Sequence, residues 1–115
     1  MKEQDLEQKV SCDMVVDIVT KTKDRVALYF KSEGCGMCDK VDDVLEKIEP
    51  DIKTPIIRIE RKELEDSNCK KLAQQSEISH FPTIVVFQKG KPQDTIFFDK
   101  TNPKDIEQKI KGIDG

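Results

Sequence analysis

The stretch Val26-Ala27-Leu28-Tyr29-Phe30-Lys31-Ser32-Glu33-Gly34-Cys35-Gly36-Met37-Cys38 decides how the chain reads. It opens on an unbroken apolar run, Val26 to Phe30, bounded by charged residues, which suits a strand buried on both faces of a parallel sheet. Past the cysteines, Val41, Val44, Leu45 and Ile48 fall at i, i+3, i+4 and i+7. That is one apolar stripe of an amphipathic helix, and it turns Asp42, Asp43, Glu46 and Glu49 toward solvent. Pro50 and Pro55 stop the helix. Cys35 and Cys38 thus stand where a buried strand ends and a helix begins.

The flanking sequence alternates in the same way. Met14, Val15, Ile18 and Val19 predict a helix over residues 10–22 with Ser11 as N-cap, and a weaker strand signal covers residues 5–9. Residues 55–60 read as a strand and residues 63–77 as a helix with Leu72 and Ala73 inward. Thr83-Ile84-Val85-Val86-Phe87 is a second apolar strand, followed by a Lys89-Gly90-Lys91-Pro92 turn and a returning strand at Thr95-Ile96-Phe97-Phe98. So short a connection makes that pair an antiparallel hairpin. Asn102 caps a last helix with Pro103 at its first position and Ile106 and Ile110 facing the sheet. The order is β-α-β-α-β-α-β-β-α: a mixed central sheet with helices on both faces.

Length and composition bound the function. The 115 residues give one domain, residues 1–115, around one core. Leu, Ile, Val and Phe supply 31 of those residues, about 27%, above the ~20% below which charged chains stay disordered. Twenty basic against 23 acidic residues leave a net charge of −3, which lacks the basic face that nucleic acid requires. No apolar run approaches the ~20 residues of a membrane span. The polar start Met1-Lys2-Glu3-Gln4-Asp5 has no signal-peptide core, so a cytoplasmic location is expected.

The four cysteines are Cys12, Cys35, Cys38 and Cys69. In a secreted chain an even count suggests structural disulfides, but the expected compartment argues against them here. Cys-x-x-Cys is half of a zinc site or a redox pair. Zinc needs two further ligands, usually from a second close pair, and Cys12, Cys69 and His80 do not provide one. No metal is expected. Cys12 and Cys69 read as small buried apolar residues, with an intermolecular disulfide through Cys69 as the alternative.

The dithiol at the end of a buried strand, Phe81-Pro82-Thr83 opening another, Phe87-Gln88-Lys89-Gly90 ending it, and Asn68-Cys69 with Leu72-Ala73 before Pro82 together resemble the thioredoxin family over nearly the whole chain. The resemblance implies the three-layer α/β/α thioredoxin-like fold. It also shows departures. Gly34 and Met37 replace the tryptophan and proline of the family's Trp-Cys-Gly-Pro-Cys, and Tyr29 stands where its buried aspartate does. Lys31 replaces an aromatic residue, Asp43 replaces a helix-kinking proline, and about four residues are inserted between 60 and 68.

At a helix start the first cysteine meets unpaired N–H groups and the positive helix end, which favour its thiolate. Cys35 is accordingly the expected nucleophile and Cys38, one turn deeper, the resolving thiol. Met37, unlike proline, keeps an N–H that the reading aims at the Cys35 sulfur. By resemblance Pro82 is cis, and Gly34, Gly36, Met37, Phe81 and Pro82 form a shallow groove for polypeptide. His80, Lys31 and Glu33 are candidates for tuning the site, each also readable as solvated surface. The implied activity is protein disulfide reduction, with no bound cofactor and with electrons from NADPH through a thioredoxin reductase. Disulfide-containing proteins and that reductase are the implied partners, and a monomer is expected. A glutathione-coupled or more oxidising exchanger, and a non-catalytic interaction subunit, are the alternatives.

Overall fold

Strand β1, Arg25–Lys31, is buried without a break from Val26 to Phe30, because both of its faces are covered by helices. It is flanked on both edges as well, pairing in parallel with β2 (Ile56–Glu60) and antiparallel with β3 (Thr83–Gln88). Strand β4, Lys91–Phe97, completes the order β2-β1-β3-β4. The computed structural model describes residues 11–98 and 102–115. The strand expected at residues 5–9 lies outside them.

Side-chain alternation along β1 builds two cores. Ala27 and Tyr29 point to one face, where α2 (Gly36–Ile48) and α4 (Pro103–Lys111) supply Val41, Val44, Leu45, Ile48, Ile106 and Ile110. Val26, Leu28 and Phe30 point to the other. There α1 (Cys12–Lys21) and α3 (Ser67–Gln75) bring Cys12, Val15, Val19, Cys69, Leu72 and Ala73. The result is the expected three-layer mixed α/β/α arrangement. Helix starts follow their caps: Ser11 accepts from Met14 N–H, Asp66 from Asn68 N–H and Asn102 from Lys104 N–H.

Several expectations change. Met14 is 53% exposed rather than inward, since Cys12, Val15 and Val19 carry the buried stripe of α1. The helix expected over 63–77 begins later. Glu60 and Glu63 close a capping box around a 3₁₀ turn at Arg61–Glu65, and Asp66, in extended conformation, restarts the chain as α3. The hairpin turn has only two residues, Lys89 and Gly90, both at positive φ, so β4 already begins at Lys91. Pro92 is accommodated because, among the described residues, β4 pairs only with β3 and the register slips beside it, between Val86 and Phe87.

The largest correction concerns Cys12 and Cys69. They are buried, as expected, but bonded to each other rather than free. Sequence spacing hides the pair because 57 residues separate the two positions, and only the packing of α1 on α3 brings their Cα atoms to 5.3 Å. On the chain-entropy account, a loop of this size stabilises between the ~3 kcal/mol of a 15-residue loop and the ~4.7 kcal/mol of a 100-residue one.

Asp114 is fastened to the segment that leads into β2. Asp114 accepts from the Lys53 and Thr54 N–H groups, both at 2.9 Å, and from Thr54 Oγ1 at 2.7 Å. Loss of hydration tends to raise its carboxyl, but these hydrogen bonds together hold it below the usual aspartate value. A carboxyl depressed by folding stabilises fully above the unfolded pKa of about 3.9 and loses that contribution as pH falls through the lower folded value. Asp114→Ala is therefore expected to lower the thermal midpoint at pH 7, and the gap from the parent should narrow below about pH 4. Parallel melts across that range check it; a gap that does not narrow on acidification would show that the charge is not what fastens the end.

Candidate active site

As β1 leaves the sheet it crosses Ser32, Glu33 and Gly34 and enters α2 at Cys35. Gly34 has φ +72°, a left-handed conformation in which a bulky side chain is strained. Cys35 is the N-cap of α2, in extended backbone, and its Sγ accepts the Cys38 N–H at 3.0 Å. The donor expected at Met37 is thus Cys38 instead, because the cap geometry aims the N3 amide at the N-cap side chain. Cys35 is partly exposed, whereas Cys38 is 1% exposed. The two form a disulfide with Cα atoms 5.1 Å apart. This arrangement presents one sulfur to a partner and keeps the other a turn below the surface.

The proposed groove residues are distributed around this point. Gly34 and Gly36 are exposed, Met37 is partly buried against the α2 core, and Phe81 is partly buried against the opposite one. Pro82 is buried and the Phe81–Pro82 peptide is cis. A groove of about 680 Å³ runs from Ser32 and Glu33 past Arg61 and Leu64 to Ile78 and Phe81. Its outer wall is the 3₁₀ turn at Arg61–Glu65, within the inserted stretch. Neither cysteine of the dithiol lines it. Glu33 therefore belongs to the groove wall. His80 is exposed, shares a hydrogen bond of 3.0 Å with Ser79 Oγ, and stacks on Phe97 with ring centres 5.1 Å apart.

Beneath α2 lies a group that the sequence reading left on the surface. Asp42 follows Cys38 by one helical turn; its Oδ2 is 2.6 Å from Lys31 Nζ, and its Oδ1 is buried without a hydrogen-bond partner among the described residues. Lys31 is correspondingly no solvated charge: its side chain is 18% exposed and its Nζ sits 5.7 Å from the centre of the Tyr29 ring. The Tyr29 hydroxyl donates to the Cys38 carbonyl at 3.2 Å. Burial first, and the Asp42 charge second, push the phenol well above the ordinary tyrosine value, so it stays protonated. Two spacings carried the signal. Tyr29 and Lys31 share the face of β1 that looks at α2, and Cys38 and Asp42 are i, i+4 on one face of the helix.

A family model described as Thioredoxin matches residues 8–112. The chain belongs to the thioredoxin family. A search of curated proteins by sequence finds no match. Among solved structures, thioredoxin from Aeropyrum pernix superposes with a TM-score of 0.70 at 15% identity, covering 93% of this chain and 89% of that one. Oxidised thioredoxin from Plasmodium falciparum gives 0.66 at 20% identity, covering 90% and 92%. Thioredoxin from Trypanosoma brucei brucei gives 0.65 at 18%, covering 90% and 86%. At these identities the likeness is one of fold.

Members of the thioredoxin family are disulfide oxidoreductases, and the close Cys35–Cys38 pair suggests that class of chemistry here. Among the described residues no group of three or more histidine, cysteine or acidic side chains is placed to hold a metal, and no helix is long and apolar enough to cross a membrane. Asp42 brings a carboxylate from α2 close enough to act on the Tyr29 phenol.

Partial exposure and a place at the helix start favour attack on Cys35 over the buried Cys38. After reduction of the Cys35–Cys38 bond, brief iodoacetamide treatment near neutral pH is expected to label Cys35 well before Cys38. Mass mapping reads the order, and prior labelling of Cys38 would reverse the two roles.

Proposed function

We propose that the chain is a protein disulfide reductase that works through a Cys35/Cys38 dithiol cycle. One observation carries the reading: a partly exposed Cys35 caps α2 and accepts the Cys38 N–H, while Cys38 waits buried one turn on. The Cys35 thiolate attacks a substrate disulfide and displaces one substrate thiolate, which takes up a proton. Cys38 then attacks the Cys35 sulfur of the mixed disulfide, releases the second substrate thiol and leaves the Cys35–Cys38 bond. Two electrons pass to the substrate. The exposed backbone around Gly34 and Gly36 and the shallow site favour polypeptide over a small enclosed substrate.

Cys38 must lose its proton in a buried place. Asp42, one helical turn away, paired to Lys31 through one oxygen and with the other buried, is the ionisable group we assign to receive it. Tyr29 holds the Cys38 carbonyl and thereby the helix above the pair.

Re-reduction by NADPH through a thioredoxin reductase is the electron source we favour, and the cytoplasm the compartment in which that supply operates. The altered Gly34 and Met37 positions favour testing a glutathione-coupled cycle beside it. Supplying NADPH with thioredoxin reductase, or glutathione with its reductase, separates the two by which one sustains turnover.

Insulin reduction with dithiothreitol tests the activity itself: the protein is expected to accelerate it and a scaffold would not. Cys38→Ser is expected to accumulate mixed disulfides with cellular proteins while Cys35→Ser accumulates none, because only the former keeps the attacking thiol and loses the exit. Equal trapping by both variants would count against the cycle.

Asp42→Asn is expected to slow resolution of the mixed disulfide by ~10- to 100-fold, at or below the usual range for general base catalysis, without slowing its formation to the same degree. Rapid-quench single turnovers resolve the two steps. Unchanged resolution would remove Asp42 from the proton path.

A further inference from the structure

Apart from the dithiol, the described residues hold one other pair of groups able to exchange electrons, the disulfide between Cys12 in α1 and Cys69 in α3. It lies in the core on the α1/α3 face of the sheet, whereas Cys38 belongs to α2, packed on the opposite face. Cys69 is 1% exposed and Cys12 7%. Thiol–disulfide exchange requires a thiolate to reach one of the two sulfurs, so α1 or its neighbours must lift before the bond is attacked. Cys35 of the same molecule caps α2, the helix packed on the opposite face.

The bond also borders the groove. Cys12 Sγ rests 3.7 Å from the Glu63 carbonyl of the 3₁₀ turn. Leu64, Ile78 and Phe81 pack against the core cluster that contains Cys12 and Cys69, and the same three residues line the groove beside Ser32 and Glu33. The groove wall is therefore built on the helix pair that the bond joins.

We propose that Cys12–Cys69 is a second redox centre, insulated from the first, whose closed form holds the Arg61–Glu65 wall of the groove that runs from Ser32 and Glu33 to Phe81, where part of a polypeptide substrate would lie, and whose opening loosens it. Closing it forms one S–S bond and passes two electrons and two protons to an oxidant of the glutathione-disulfide class. Opening it takes two electrons and two protons from a dithiol. The effect on substrates rests on the protein disulfide reductase reading above; the insulation does not.

Graded dithiothreitol, acid quench, alkylation in denaturant and intact mass test the insulation. Two alkylated thiols, mapped to Cys35 and Cys38, are expected first, and Cys12 and Cys69 at least ~10-fold more slowly, as their burial dictates. Simultaneous release of all four, or free Cys12 and Cys69 in the unreduced protein, overturns it. In Cys35→Ser/Cys38→Ser protein, opening the remaining bond is expected to speed amide hydrogen exchange in residues 61–65 and 78–81 while α2 and α4 stay protected. Unchanged exchange in those two segments refutes the coupling to the wall. Cys12→Ala/Cys69→Ala is expected to raise KM for insulin several-fold and to leave a small aromatic disulfide within about two-fold. Equal losses on both substrates would also refute it. If the parent reduces neither substrate, the dithiol reading fails, and the alkylation and exchange results still decide for or against the second centre.

Discussion

Everything in this molecule hangs on the burial of β1 from four sides. Its five central residues, Val26 to Phe30, lose water to helices above and below and to β2 and β3 at the edges. Burying a large apolar side chain is worth about 1.5–3 kcal/mol relative to leaving it exposed, so a strand of this kind cannot slip or turn over without losing most of the core. The chain must therefore leave the sheet at one place and in one direction. That place is occupied by Ser32-Glu33-Gly34, and the next residue is Cys35. The reactive sulfur owes its position to the least reactive segment of the protein.

A second consequence of β1 is the charged pair beneath α2. Continuing the alternation of Ala27 and Tyr29 directs Lys31 to the α2 face, where it meets Asp42. Ion pairs in such partly dry surroundings offer little net stability, because each charge gives up hydration to make the contact. The buried Asp42 Oδ1 makes matters worse for stability, since an unsatisfied buried acceptor costs about 1–3 kcal/mol. A group retained at such cost one turn from the buried thiol has its explanation in chemistry rather than in folding. Tyr29 fits the same view, its hydroxyl tied to the Cys38 carbonyl and its phenol kept neutral by the Asp42 charge and burial.

The two disulfides divide along the sheet. Cys35–Cys38 closes over three residues at a helix start and stands partly in solvent. Cys12–Cys69 spans 57 residues and is enclosed. The first is local, with its partner supplied by the helix turn itself; the second exists only because two distant helices pack on the same face. Such a difference in access separates a bond open to direct exchange from one that must first be uncovered.

The sequence by itself determined the strand-to-helix junction, because an apolar run followed by a 3.6-residue stripe leaves only one placement for Cys35 and Cys38. It likewise determined the hairpin, through Lys89-Gly90, and the caps at Ser11 and Asn102, since each of these is settled by neighbours a few residues away. What it could not state was any partnership made across the core. The split of residues 61–75 into a 3₁₀ turn and α3 depends on side-chain caps winning over helix propensity. The pairing of Asp42, whose side chain stays 31% exposed, depends on Lys31 arriving from another element. The Cys12–Cys69 bond depends on the docking of α1 against α3. Local patterns report what a residue's neighbours in the chain demand, whereas the Lys31–Asp42 pair and the Cys12–Cys69 bond were decided by neighbours that only packing on the faces of one sheet could bring together.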